Sequence, residues 1–213
     1  MAVVKWSKVA VDVESTKSAS LTVTAISKQN PGQVTTQSAH SYSNGDWVVI
    51  TASGMTQVDG RVFRISGASG SVFNLEGEDT TNYDTFTAGS VFKVTAWSGM
   101  QTATGLTASG GDYEFIDTTT IHSPVRTQIP GLASPATYTF ENLWDPSDSA
   151  LLAFKTAADN QSQKVTRFSF AGGQKVVFNG YIGATLLPTG VAQDKVQTSV
   201  TITMFGRPTI YAS

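Results

Sequence analysis

Apolar and polar residues alternate along several stretches of this chain. The cleanest places Val196, Thr198, Val200, Ile202 and Met204 on one side and Gln197, Ser199, Thr201 and Thr203 on the other. A period of two with one apolar face predicts a half-buried strand. The same period sets Tyr138, Phe140 and Trp144 against Thr137, Thr139 and Glu141, and Leu21, Val23 and Ala25 against Ser20, Thr22 and Thr24. Residues 4 to 13 switch parity between Val4/Trp6 and Val9/Val11/Val13. Of the two explanations, a β-bulge near Ser7 and Lys8 is preferred to a change of burial face.

Only one segment reads as helix, over about 146–158. Asp145 is a capping type, Pro146 suits the first helical position, and DSALLAFKTAA at 148 to 158 lacks Gly and Pro. Leu151, Phe154 and Ala158 fall on one face. Residues 39 to 97 have a different texture: WVVIT, RVFRIS, SVFNLE and SVFKVTAW lie between turn signals at Asn44-Gly45-Asp46, Asp59-Gly60 and Ala68-Ser69-Gly70. That spacing predicts a small meander or barrel. By contrast, residues 117 to 136 (DTTTIHSPVRTQIPGLASPA) show little regular pattern and read as one long loop. Loops of that length in compact domains are usually functional or held by a partner.

The predicted fold is therefore mainly β: an antiparallel β-sandwich with one short flanking helix and an inserted small β-barrel-like module. The expected division assigns residues 1–19 plus 98–213 to the sandwich and 20–97 to the insert. Composition agrees. Hydrophobic residues make up 40% of the chain, and Thr, Ser, Gly and Asn supply strand and turn positions. Charged residues reach only 14%, below the usual value of about 25%. Net charge is -2, and no segment gathers Lys or Arg into the stripe that phosphate binding needs. No apolar run approaches the roughly 18 residues of a membrane span, and the N-terminus lacks a signal-type apolar stretch, so a soluble chain folding from its first residues is expected.

Catalytic chemistry finds little support. The chain has two histidines, His40 and His122, and no cysteine, which leaves no HExxH pattern or thiolate site. No G-x-S-x-G elbow and no phosphate-cradling glycine motif occurs. Asp112, Glu114 and Asp117 invite a glycosidase comparison, yet Asp112 and Glu114 flank Tyr113 in an alternating stretch and read as a solvated face. Asp59-Gly60 and the SNGD loop at 43 to 46 lack the terminal Glu of a calcium loop and read as hairpin turns. Trp47, Tyr83, Phe86 and Trp97 are candidates for a sugar platform or, more commonly, for core packing. No enzyme activity and no cofactor or metal are expected.

From TYTFENLWDPSDSALLAF (137 to 154) through VTRFSFAGGQKVVFNGYIGA (165 to 184) to VQTSVTITMFGRPTIY (196 to 211), the chain resembles the major tail tube proteins of long-tailed, lambda-like bacteriophages. The shared order is a strand with aromatics, a helix rich in Leu and Ala, and a hairpin with an aromatic-Gly-aromatic step (Phe178, Gly180, Tyr181). A last strand follows, closing in Gly206-Arg207-Pro208. Glu114 to Pro135, with IPGL at 129 to 132, resembles the loop that stacks one ring on the next in that family. Residues 21 to 97 resemble the first catalytic cysteine half-domain (FCCH-like module) of ubiquitin-activating enzymes. A chain without cysteine cannot perform that thioester chemistry.

The tail tube resemblance implies a structural virion protein that self-assembles into stacked hexameric rings enclosing a lumen, the conduit for DNA ejection. Its partners would be other copies of itself and the tape measure, tail tip and terminator proteins. DNA would be transient cargo, no membrane would be involved, and assembly would occur in the bacterial host cytoplasm before incorporation into the virion. A neutral polar face on residues 137 to 144 and 196 to 204 would let DNA slide past. Inter-ring or inter-subunit contacts are expected at Ile121, Val125, Ile129, Pro130 and Leu132, which are apolar where a free loop should be polar, and at Arg207, through an acid on a neighbour. The alternative class is a surface or carbohydrate-binding β-protein, an adhesion or receptor-binding decoration with recognition in the insert.

Overall fold

The computed structural model describes residues 8–212. It contains fourteen strands and one helix in the order β1 (Ala10–Lys17), β2 (Leu21–Ile26), β3 (Gln33–Thr36), β4 (Trp47–Ser53), β5 (Val62–Ser69), β6 (Val72–Leu75), β7 (Ala88–Met100), β8 (Ala103–Ser109), β9 (Tyr113–Asp117), β10 (Gln128–Ala133), β11 (Thr137–Leu143), α1 (Ser149–Asp159), β12 (Gln163–Ser169), β13 (Lys175–Ala184) and β14 (Gln197–Tyr211). The mainly β fold with one helix is as the residue pattern predicts. Val4, Trp6 and Ser7 of the predicted bulge lie outside the described residues. Within β1, register shifts against β7 fall between Glu14 and Lys17.

Strands β2-β3-β6-β5-β4-β7 form a closed six-stranded barrel, because β2 also pairs with β7. Its interior holds Val23, Val34, Ile50, Phe63, Phe73 and Val91, all buried. Ala25, expected inside with Val23, is exposed; a register shift between Val23 and Ala25 turns Ile26 inward instead. One extra residue on one strand reverses the parity that follows it.

The long β7 leaves the barrel and continues into a second sheet, where it pairs with β1. That sheet runs β7-β1-β12-β13-β14-β11-β8. Its two end strands, β7 and β8, are joined only by Gln101 and Thr102, a link that spans at most about 11 Å. The sheet must therefore roll until its ends approach. Phe140 of β11 and Phe168 of β12, on strands that are not neighbours, meet with ring centroids 5.9 Å apart. Phe178 completes the aromatic cluster at 5.5 Å from Phe168, and Phe154 of α1 reaches Phe140 at 6.4 Å. This sandwich core also takes Val11, Val13, Leu151, Val200 and Ile202.

The helix begins later than its sequence suggests. Asp148, not Asp145, is the N-cap: its Oδ1 accepts from the Ala150 and Leu151 N–H groups at 2.8 and 3.1 Å. Asp145 closes the preceding turn by accepting from the Ser147 N–H and hydroxyl. Leu151 and Phe154 face the core as expected, with Ala150 and Ala157 beside them and Ala158 half-buried.

The last strand also differs from its predicted end. Gly206-Arg207-Pro208 does not close β14 but forms a bulge within it. Asn179 pairs with Phe205 and Val177 with Thr209, so three residues of β14 face Phe178 alone. Gly206 sits at φ +76°, a conformation glycine adopts without strain. Pro208 is tolerated there because the bulge asks for no ladder N–H. The strand then runs on to Tyr211, whose ring joins Trp47, Val49, Val62, Val165 and Val177 in the apolar cluster between barrel and sheet.

Candidate assembly interface

The segment read as a loop is largely a β-hairpin. β9 and β10 pair only with each other, with Asp117 opposite Gln128, Ile116 opposite Ile129 and Phe115 opposite Pro130. The expectation of one long irregular loop over 117–136 is thus corrected: within it only the tip, 118 to 127, and the return at 134 to 136 lack strand. Thr118 and Thr119 close the tip, the Thr118 N–H donating to the Thr127 carbonyl at 2.9 Å and the Thr127 N–H to the Thr119 hydroxyl at 3.0 Å. Asp117 accepts from the Thr119 N–H at 2.8 Å. Hydrogen bonds from the Thr119 side chain and backbone hold its carboxyl below the usual range.

Every residue of β9 is exposed, and in β10 only Gly131 is partly covered. Ile121 is 96% exposed and Leu132 89%. Val125, Ile129 and Pro130 are exposed on the same arm. Five of the six residues singled out in the sequence are therefore gathered on one projecting hairpin. Tyr113, Phe115 and Ile116 accompany them and were not singled out; apolar residues at adjacent positions 115 and 116 were the available signal, since they place apolar groups on both faces of a strand. A two-stranded hairpin alone in water is marginal at best, and exposed apolar groups of this extent mark contact surfaces.

Arg207 lies apart from the arm's apolar residues but beside its root. It is exposed on the β14 bulge and lines two clefts. One is shared with Gly111, Tyr113, Ala133 and Pro135, the other with Thr56, Gln57, Asp59 and Arg61 of the barrel side.

A second surface is the outward face of β8, β11 and β14. Cross-strand pairing aligns Ser109, Thr137 and Thr203 in one row, Thr107, Thr139 and Thr201 in the next, and Gly105, Glu141 and Ser199 in a third. These rows hold no Lys or Arg, and Glu141 is their only charge.

A third surface lies at the far end of β11 from the arm. Leu143, Trp144, Leu152, Leu187 and Val196 are exposed there. The Trp144 indole N–H donates to the Leu186 carbonyl at 3.0 Å, and the Trp144 backbone N–H to Val196 at 2.9 Å. All the exposed large apolar side chains among the described residues fall between Tyr113 and Ile210, and none on the barrel strands β2 to β6.

The remaining candidates are packed or structural. His40 stacks on Tyr42 at 4.8 Å, and its Nε2 lies 3.1 Å from the Val72 carbonyl. Trp47 is 5% exposed. Tyr83 and Phe86 pack against the barrel core, and Trp97 lies under the Arg167 guanidinium at 4.2 Å. Among the described residues no group of three or more His, Cys, Asp or Glu converges as metal ligands would, and no helix is long and apolar enough to cross a membrane.

A comparison with curated proteins finds no match. A comparison with protein families matches residues 53–213 to the family described as phage tail tube protein, TTP. The matched span starts in the last residue of β4 and contains the arm, the helix and the whole of β8 to β14. With a match over most of its length, this chain belongs to the phage tail tube protein family, a structural and non-enzymatic family of the phage tail.

Proposed function

We propose that the chain polymerises as stacked hexameric rings that form the phage tail tube, the conduit for DNA ejection. The observation that carries this reading is the β9–β10 arm. Its two faces and its tip present Ile116, Ile121, Val125, Ile129 and Leu132 to solvent, an arrangement that gains free energy only when another subunit covers it. On this reading Ile121, Val125, Ile129, Pro130 and Leu132 form the inter-ring contact. Arg207, at the arm's root and without an ion-pair partner among the described residues, meets an acid of a neighbouring subunit.

The Thr- and Ser-rich rows of β8, β11 and β14 suit a lumen wall. A passing polyanion finds no cation there to exchange for its counterions, so it is not held. The barrel, which exposes no large apolar side chain on β2 to β6, takes the place of an outer decoration inserted into the sandwich, in the manner of the FCCH-like add-on module. Tape measure, tip and terminator proteins cap or fill such a tube, which is built in the host cytoplasm before joining the virion.

The test is negative-stain electron microscopy of the purified chain beside a variant in which residues 118–127 are replaced by a two-residue turn. Tubes or rings are expected from the first and folded, dispersed particles from the second. A full-length chain that remains monomeric at every concentration would overturn the proposal.

A further inference from the structure

The arm and the Trp144 surface stand at opposite ends of one strand. The arm is rooted at Thr137, which pairs with Ser109, whereas Leu143 and Trp144 end and follow β11. Seven residues of extended chain separate them by about 24 Å. At the far end a cleft of about 210 Å³ opens between Trp144, Pro146, Leu151, Leu152 and Leu186, with Asp145 and Lys155 at its rim. Its walls are almost wholly side-chain hydrocarbon, and the indole that forms one of them is fixed by its hydrogen bond to Leu186.

Charge is complementary as well. The arm's tip, residues 118 to 127, carries Arg126 and His122 and no acid. The cleft's rim carries Asp145, held ionised to lower pH than usual by the Ser147 hydroxyl and N–H, while Lys155 is paired with Asp159 at 2.7 Å. The rim is thus left with a net acidic group facing a basic visitor. Ile121, 96% exposed, does not occupy this cleft within its own subunit.

Resting on the tube reading above, we infer that the cleft between Trp144 and Leu152 is the socket for the arm of a second copy, with Ile121 or Val125 seated in it and Arg126 against Asp145. Donor and socket are different patches at opposite ends of one subunit, so the contact is heterologous. Each addition presents a fresh socket, and growth continues along one direction. An arm that instead added to the free edge of β8 would lie in the groove lined by Val11, Thr104, Gly105 and Leu106, which offers no acid on its wall. The Trp144 cleft is the better fit on both its apolar lining and its charge.

The chain has no cysteine, so engineered pairs report contacts without background. Ile121→Cys combined with Leu152→Cys should give, on mild oxidation of assembled protein, a covalent ladder extending beyond dimers, because a disulfide forms only where Cα atoms approach within about 7 Å. Leu152→Cys alone should give no ladder. Ile121→Cys with Thr104→Cys tests the β8 edge, and a ladder from that pair in place of the first overturns the inference. Tubes visible by microscopy that yield no ladder from the Leu152 pair also overturn it, while leaving the tube reading standing. Failure of wild-type protein to assemble at all overturns both. As an independent check, Asp145→Arg and Arg126→Asp should each raise the critical concentration for assembly about tenfold, and the double reversal should recover most of that loss. Lack of recovery counts against the pairing of Arg126 with Asp145.

Discussion

The backbone N–H of Arg64 donates to the phenolic oxygen of Tyr211 at 2.8 Å, linking residues 147 positions apart. Arg64 belongs to barrel strand β5 and Tyr211 ends the last strand of the rolled sheet. The Arg64 guanidinium lies over the Tyr211 ring at 4.7 Å and is itself held by Glu76. The ring packs edge-on against Trp47 at 5.3 Å. One side chain thus supplies apolar area, a hydrogen-bond acceptor and a cation platform to the junction between barrel and sandwich.

This burial raises the Tyr211 phenol from 10.0 to about 12. A raised folded-state value means that the neutral phenol is favoured in the folded protein. Its contribution is fully present below about pH 10, where the unfolded phenol is also neutral, and is lost as pH rises toward about 12, by about 2–3 kcal/mol. Tyr42, Tyr83 and Tyr138 are raised as well, chiefly by burial, and act in the same direction. Urea unfolding between about pH 9 and about pH 12 should show this decline. Tyr211→Phe should flatten the steepest part of it while lowering stability at neutral pH by about 1–3 kcal/mol, since the Arg64 N–H loses its acceptor.

The same junction has a steric limit. Gly60 has φ +66°, and a Cβ placed on it would lie 2.1 Å from the Phe205 ring. Gly60→Ala therefore combines a backbone penalty of about 1–2 kcal/mol with displacement of the ring. Phe205 is partly exposed, so the ring can swing aside at some loss of packing. In a double-mutant cycle with Phe205→Ala the two costs should be less than additive, because removing the ring removes the clash but not the backbone penalty. Strict additivity in thermal unfolding would show that the ring and Gly60 do not meet.

Where a strand has one buried face, its place was readable in the residues. β14 and β11 alternate because Val200, Ile202, Tyr138 and Phe140 line the core while Thr201 and Thr139 do not. Beyond the alternation of Asp112, Tyr113 and Glu114, the arm was not readable as strand, for the complementary reason. With nearly every residue of β9 and β10 exposed, no burial period exists, and Pro130-Gly131 inside β10 reads as a breaker. The arm's apolar residues were nevertheless visible, because Ile121 and Leu132 stand out in a polar context. The Trp144 socket was not, since Trp144 continued the alternation of β11 and no local pattern links it to Leu186 and Leu187. Their grouping depends on the hydrogen bond from Trp144 to Leu186, a contact between distant segments. The helix cap failed on a related ground: Pro146 pointed to Asp145, whereas donors from the distant Thr102 and Gln101 hold Asp148 in place.

Those donors make Asp148 worth more than an ordinary cap. Its Oδ1 serves Ala150 and Leu151, and its Oδ2 accepts from the Thr102 hydroxyl at 3.2 Å and the Gln101 N–H at 3.3 Å. The cap thereby ties the helix start to the short link between β7 and β8, where the sheet closes its roll. Asp148→Ala should cost more than the roughly 1 kcal/mol typical of a cap, about 2–3 kcal/mol in chemical unfolding, because two further donors are left unmatched. Asp148→Asn, which keeps one acceptor oxygen for the helix, should cost less than the alanine. A loss confined to the ordinary cap value would mean that the Thr102 and Gln101 contacts contribute nothing.

Core and arm should separate cleanly when stability and assembly are measured side by side. Phe168 is buried among Phe140, Phe178 and Tyr138, and Phe168→Ala should cost about 3–5 kcal/mol through lost contacts and the cavity left behind. Leu132→Ser removes a side chain that is 89% exposed, so the isolated subunit should unfold within about 0.5 kcal/mol of the parent. Yet if the arm is covered by another subunit, that serine forfeits roughly 1.5–3 kcal/mol of apolar burial at every contact. Repeated along a polymer, this should suppress assembly at concentrations where the parent forms tubes. Light scattering gives the second measurement and calorimetry the first. A Leu132→Ser variant that assembles like the parent would remove Leu132 from the contact, whereas one that unfolds early would show that the arm packs on its own subunit.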